Sequence, residues 1–187
     1  MPVALTGSST CGLLAMTKLI MWYKYLIITV LLYLFAVMQN SFFVHFSFFG
    51  AVPNFVFIIF FTLIFFTKND NYCQIAFVAA ASGLFLDIFS YMRFGTSIIF
   101  LLAIGFIFKK IQSMLQMNRS SDFPLIYFLP IFTVMLAVYS LILNRAGFNI
   151  VFAAELIYNL FFATIAFYIY KRFLRASVDD HQLKLFN

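Results

Sequence analysis

The chain has 187 residues, of which 65% are hydrophobic and only 10% charged, with a formal net charge of +6. An ordinary globular protein carries about 25% charged residues, and a soluble fold of this length has no interior large enough for so much apolar surface. These figures exclude a soluble enzyme or binding module. They point to an all-α polytopic integral membrane protein, because the apolar runs are continuous and lack the alternation of a membrane barrel.

Residues 1–18 read as a cytoplasmic N-terminal segment. There is no positive charge before Lys18, so the segment does not read as a secretory signal, and Cys11 after Ser-Ser-Thr makes a poor lipidation site. Residues 19–171 read as one membrane domain of six transmembrane helices. The first span is expected at 19–38, followed by an aromatic stretch at 42–49 interrupted by His45 and Ser47. Pro53 suits the first position of a helix, so the second span is expected at 53–67, with Pro53 and Asn54 at its start. That span is short for a hydrocarbon core of about 30 Å at about 1.5 Å per residue. The third is expected at 72–91, after the polar turn Lys68-Asn69-Asp70-Asn71. The fourth, at 96–108, ends on Lys109-Lys110, and the longest polar connection follows it. The fifth and sixth are expected at 124–143 and 150–170, and residues 172–187 read as a short polar cytoplasmic tail. Most of the 29 Phe and 10 Tyr are expected to face lipid or to pack between helices.

The basic residues orient the six spans. With the N-terminus in the cytoplasm, ten of the twelve Lys and Arg residues fall on the cytoplasmic side and only Arg93 and Arg145 fall outside. Cytoplasmic loops of membrane proteins are enriched in Lys and Arg, so both termini are expected in the cytoplasm. The positive charge is then a topology signal, and no nucleic-acid partner is read from it.

The third span, AFVAAASGLFLDIFSYMRFG from Ala76 to Gly95, carries the least ordinary pattern. Ala76, Ala80 and Gly83 lie three or four apart on one helix face, with Asp87 four residues further and Ser90 beyond. An acid facing lipid costs about 2.5–3.5 kcal/mol on insertion scales, so Asp87 calls for a partner. On the sixth span Glu155, Asn159, Ala163 and Ala166 repeat the polar-to-small stripe. The two stripes are expected to face the bundle interior, with Arg93, Arg145, Glu155 and Asn159 in an outer polar network with Asp87. Two readings of Asp87 stay open: a staple of the turn between the third and fourth helices, or a docking or switching residue. No HExxH, CxxC or Gly-rich phosphate loop is present, and His45 and His181 are far apart. No catalytic residue, metal or cofactor is therefore expected.

The segment Ser82-Gly83-Leu84-Phe85-Leu86-Asp87-Ile88-Phe89-Ser90, followed by Phe94-Gly95, resembles the G-L-x-x-D-x-x-S then G signature of the rod shape-determining protein MreD family. Pro53-Asn54 opening an apolar helix after a loop containing Gln39, and Asn159 in a last helix with a basic end, are similar to the same family; many members carry Asp where Asn54 stands. The resemblance implies a non-enzymatic scaffold subunit of the bacterial elongasome in the cytoplasmic (inner) membrane. It would act in side-wall peptidoglycan synthesis with MreC, MreB filaments, and the RodA and penicillin-binding-protein synthase. Gly83, Asp87, Ser90, Gly95, Ala76 and Ala80 would then form a partner-docking or structural face. A second resemblance is to the substrate-binding subunits of energy-coupling-factor vitamin transporters. Those use a small-residue stripe on the first helix, where this chain has Ala36 as its only Ala and no Gly between 19 and 38.

Overall fold

The computed structural model describes residues 7–47, 50–67, 71–89, 94–114, 125–143 and 149–183. Six α-helices follow one another: α1 (Gly7–Ser41), α2 (Phe55–Phe66), α3 (Tyr72–Phe89), α4 (Thr96–Met114), α5 (Leu125–Leu143) and α6 (Ile150–Leu183). A short 3-10 turn, Phe43–Phe46, lies between α1 and α2. The described residues contain no strand. Five of the helices are long and apolar enough to cross a membrane. α2 has 12 residues, a length of about 18 Å.

Paired rings and close approaches give the helix directions. Tyr25 packs on Phe77 and Tyr33 on Phe85, so α1 and α3 run parallel. Gly83 lies against Ile98 and Tyr72 stacks on Phe106, so α3 and α4 are antiparallel. Phe61 meets Phe132 while Phe65 meets Phe128, which sets α2 against α5. Phe55 meets Phe162 and Phe66 meets Tyr170, so α2 and α6 run together. Gly105 of α4 faces Phe60 and Ile64 of α2, and Phe108 faces Phe65, so these two also run together. The helices thus alternate: α1, α3 and α5 point one way, α2, α4 and α6 the other.

α2 forms the centre. Phe57, Phe60, Phe61 and Phe65 are fully buried and interleave with Phe108, Phe128, Phe132 and Phe167 from α4, α5 and α6. Helices in lipid gain nothing from hydrophobic transfer on meeting each other, so packing contacts must hold them. Paired rings contribute about 0.5–1.5 kcal/mol each beyond simple burial, and a phenyl-rich centre multiplies such pairs. The phenylalanines therefore divide between lipid and an aromatic core.

Five boundaries depart from the expectations. α1 begins at Gly7 rather than at 19, so much of the segment expected before the first span is part of its helix. Pro53 lies outside α2, because Asn54 takes the cap position with φ −91° and ψ 81° and the helix starts at Phe55. α1 runs to Ser41, past the expected end at 38, since nothing in Gln39-Asn40-Ser41 breaks a helix. α4 continues through Lys109 to Met114, because the lysine is held inside the bundle rather than marking its edge. α6 continues to Leu183, past the expected end at 170, so most of the segment expected as a short polar tail is helical; it contains no Gly or Pro to stop it. The last two residues of the expected third span, Ser90 and Tyr91, lie outside the described residues.

Candidate functional site

The site builds from Asp87, a carboxylate that is 4% exposed near the end of α3. Its Oδ2 accepts a hydrogen bond from the Gly95 N–H at 2.7 Å, and its Oδ1 accepts one from the Ser97 N–H at 3.0 Å. Gly95 stands at the cap position and Ser97 in the first turn of α4, where backbone N–H groups have no intrahelical acceptor and the helix dipole favours negative charge. A helix start is ordinarily capped by its own Ser, Thr, Asp or Asn. Here that position is Gly95, with φ +97° and no side chain to cap. The preceding helix supplies the cap instead. Among the described residues, Asp87 thus acts as the staple of the α3–α4 turn.

Gly83 explains how α4 comes within reach. A Cβ placed on Gly83 would lie 2.5 Å from the Ile98 Cα. The two backbones touch, as small residues in lipid permit. Ala79, Ser82, Gly83, Leu86 and Asp87 lie on the buried face of α3, while Ala76 and Ala80 are half-buried. The small-residue face is therefore turned inward around Ala79 and Gly83. Ser82 is fully buried, and among the described residues its hydroxyl has no hydrogen-bond partner.

Asn159 of α6, 0% exposed, performs a related task for α2. Its Oδ1 accepts from the Asn54 N–H at 2.7 Å, and its Nδ2 donates to the Glu155 carbonyl at 2.8 Å. Asn54 in turn accepts from the Phe57 N–H at 3.0 Å through Oδ1, and Gln39 Oε1 accepts from the Val56 N–H at 3.4 Å. The Glu155 carboxylate accepts from the Ser140 hydroxyl at 3.0 Å. Tyr139 of α5, buried, lies beside the side chains of Ser97 and Asn54. That tyrosine joins the two capped helix starts, so Asp87, Ser97, Tyr139, Asn54, Asn159, Glu155 and Ser140 form one polar cluster at one end of the bundle.

The opposite end of α2 is closed in the same manner. Lys109, 2% exposed, donates from Nζ to the Thr67 carbonyl at 2.6 Å and to Gln112 Oε1 at 2.7 Å. Gln112 donates from Nε2 to the Phe65 carbonyl at 3.4 Å. In a bundle that spans a membrane, a helix of about 18 Å ends inside the hydrocarbon depth, where water cannot serve its terminal groups. Polar side chains of α1, α4 and α6 take the place of that water.

Of the residues singled out in the sequence, Gly83, Asp87 and Gly95 meet in one hairpin, and Asn54, Glu155 and Asn159 meet across α2 and α6. Asp87 bonds to the start of α4 rather than to α6, and Tyr139 bridges the two groups. Ser90, Arg93 and Arg145 lie outside the described residues. Ser97, Ser140, Tyr139, Lys109 and Gln112 were missed. A serine or tyrosine in an apolar helix carries no spacing signal, and Lys109 beside Lys110 reads as an edge charge. Among the described residues no group of His, Cys, Asp and Glu could hold a metal. No family model, curated protein or solved structure matches this chain.

Proposed function

We propose that this chain is a non-enzymatic scaffold of the bacterial elongasome, of the MreD type, needed for rod shape and side-wall peptidoglycan synthesis. The observation that carries the reading is the Asp87 staple. The residues that make the resemblance, Gly83, Asp87 and Gly95, form one device that fixes the α3–α4 hairpin. A short motif whose members share one structural task supports the resemblance more than scattered identities do. In this reading all six helices cross the cytoplasmic membrane, α2 with the help of its flanking segments, and both termini lie in the cytoplasm. The helix directions fit this, and Lys24, Lys110, Lys171 and Arg172 then share the basic side. The protein acts through helix faces and short loops, docking MreC and the RodA and penicillin-binding-protein synthase, with MreB on the cytoplasmic side.

The vitamin-transporter reading needs a ligand cavity near the cluster of Asp87 and Glu155. There the side chains are engaged with one another and with helix starts, and the neighbouring space holds Phe55, Phe57 and Tyr139. This favours the scaffold. Depletion of the protein in its rod-shaped host is the test. Rounding of the cells, reversed by the unmodified gene, is the expected result. Unchanged rods with normal side-wall incorporation of labelled wall precursor would overturn the proposal.

A further inference from the structure

α2 is buried on all sides except along one stripe, Ile59, Leu63 and Phe66, which is half-buried and spaced by four and three residues. That stripe faces the seam between α1 and α6. Phe55, one turn before it, touches Phe35 of α1 and Phe162 of α6, and Phe66 at its other end stacks on Tyr170 of α6. Both outer helices pack on α2, but among the described residues they form no extended contact with each other. The result is a lateral groove floored by α2.

The two ends of the groove differ. At the Phe55 end the 3-10 turn closes it: Phe43 packs on Phe55 and Phe162, and the Tyr158 hydroxyl reaches the Phe46 carbonyl. The Phe66 end is basic. α1 runs antiparallel to α2 with Phe35 beside Phe55, so eleven residues along each helix bring Lys24 level with Phe66. Lys171 follows Tyr170, with its Nζ 6.0 Å from the centre of the Phe167 ring.

The geometry points to one acyl chain of an anionic phospholipid in this groove, with its phosphate head group between Lys24 and Lys171. A partner's transmembrane helix would run the full bilayer depth and collide with the closed end. An acyl chain enters from the head-group level and stops inside. Basic residues between helices at the head-group level recognise anionic lipids. This inference does not depend on the cell-shape role.

The test uses the full chain with Trp22, its one tryptophan, replaced in Trp22→Phe, and a reporter indole introduced by Leu63→Trp. Ile99→Trp, at a site on α4 that is 72% exposed, reports on bulk lipid. The protein is placed in phosphatidylcholine vesicles containing a minor fraction of either brominated phosphatidylglycerol or brominated phosphatidylcholine. The expected result is preferential quenching of the groove indole by the anionic lipid, at about fivefold lower lipid fraction for each lysine. The Ile99→Trp reporter should show no such preference, and Lys24→Gln with Lys171→Gln should abolish it in the groove. Equal quenching by both lipids, or a preference that survives loss of both lysines, overturns the proposal. So does shielding from both lipids that is relieved by dilution into excess lipid, which would place a second copy in the groove. If Leu63→Trp fails to fold, Ile59→Trp on the same stripe repeats the measurement.

Discussion

Replacing Asp87 by Ala removes the acceptor for two backbone N–H groups at the start of α4, those of Gly95 and Ser97. Both bonds are charge-assisted, and the Ser97 N–H is buried with its residue. Leaving a buried donor without an acceptor costs about 1–3 kcal/mol, and loss of an ordinary helix cap costs about 0.5–2 kcal/mol. Water can still reach the half-buried Gly95, so the expected loss for Asp87→Ala is roughly 2–4 kcal/mol. Asp87→Asn keeps one carbonyl oxygen and turns a donor toward the other N–H, so it should lose at least half as much. Thermal or denaturant unfolding of the purified chain in mild detergent, followed by circular dichroism, measures both. Ile99→Ala, at an exposed site one turn into α4, supplies the baseline. A capping role for Asp87 fails if Asp87→Ala unfolds within about 0.5 kcal/mol of that baseline, the range of neutral surface changes. It also fails if Asp87→Asn matches the unmodified chain.

Four further outcomes follow from the same geometry. Gly83→Ala should destabilise by about 1–3 kcal/mol, the usual range for overpacking, because its Cβ meets the Ile98 backbone at 2.5 Å; a melting temperature equal to that of the unmodified chain would contradict the close approach. Lys109→Met leaves the Thr67 carbonyl without its donor and should cost about 1–3 kcal/mol, whereas a change at exposed Lys110 should cost little; comparing the two unfolding curves separates a buried cap from an edge charge. Asn159→Leu removes the acceptor of the Asn54 N–H and should speed hydrogen exchange at the start of α2 while leaving the α3–α4 hairpin protected. In complementation of depleted cells, Asp87→Ala should restore rods less well than Ile99→Ala, with protein level in the membrane measured alongside to separate lost function from lost protein.

The capped ends of α2 show why a short helix can sit at the centre of such a bundle. Its twelve residues are almost all apolar, so the side-chain surface needs nothing polar. Its backbone does, at both ends, and in lipid that demand does not shrink with helix length. Asn54, Asn159 and Gln39 meet it at one end, Lys109 and Gln112 at the other. Polar residues that look anomalous in apolar helices are placed where another helix begins or stops.

Composition alone determined the class. Continuous apolar runs leave helices as the spanning form, and the five interruptions near Pro53, Asn71, Gly95, Pro124 and Asn149 set the number of helices. Sequence also marked Asp87, Gly83 and Gly95, because an acid and small residues in an apolar helix stand out against their neighbours. It could not say what Asp87 binds. An acid at that spacing serves a turn, a partner or an ion equally well, and only the approach of α4 to Gly83 brings the Gly95 and Ser97 N–H groups to it. Tertiary structure alone decided that Lys109 is buried, that Tyr139 joins two helix starts, and that one stripe of α2 stays open between α1 and α6. Those are relations between residues tens of positions apart. A helical period records which face of a helix is apolar, and in a chain apolar on every face it carries no record of which face meets which neighbour.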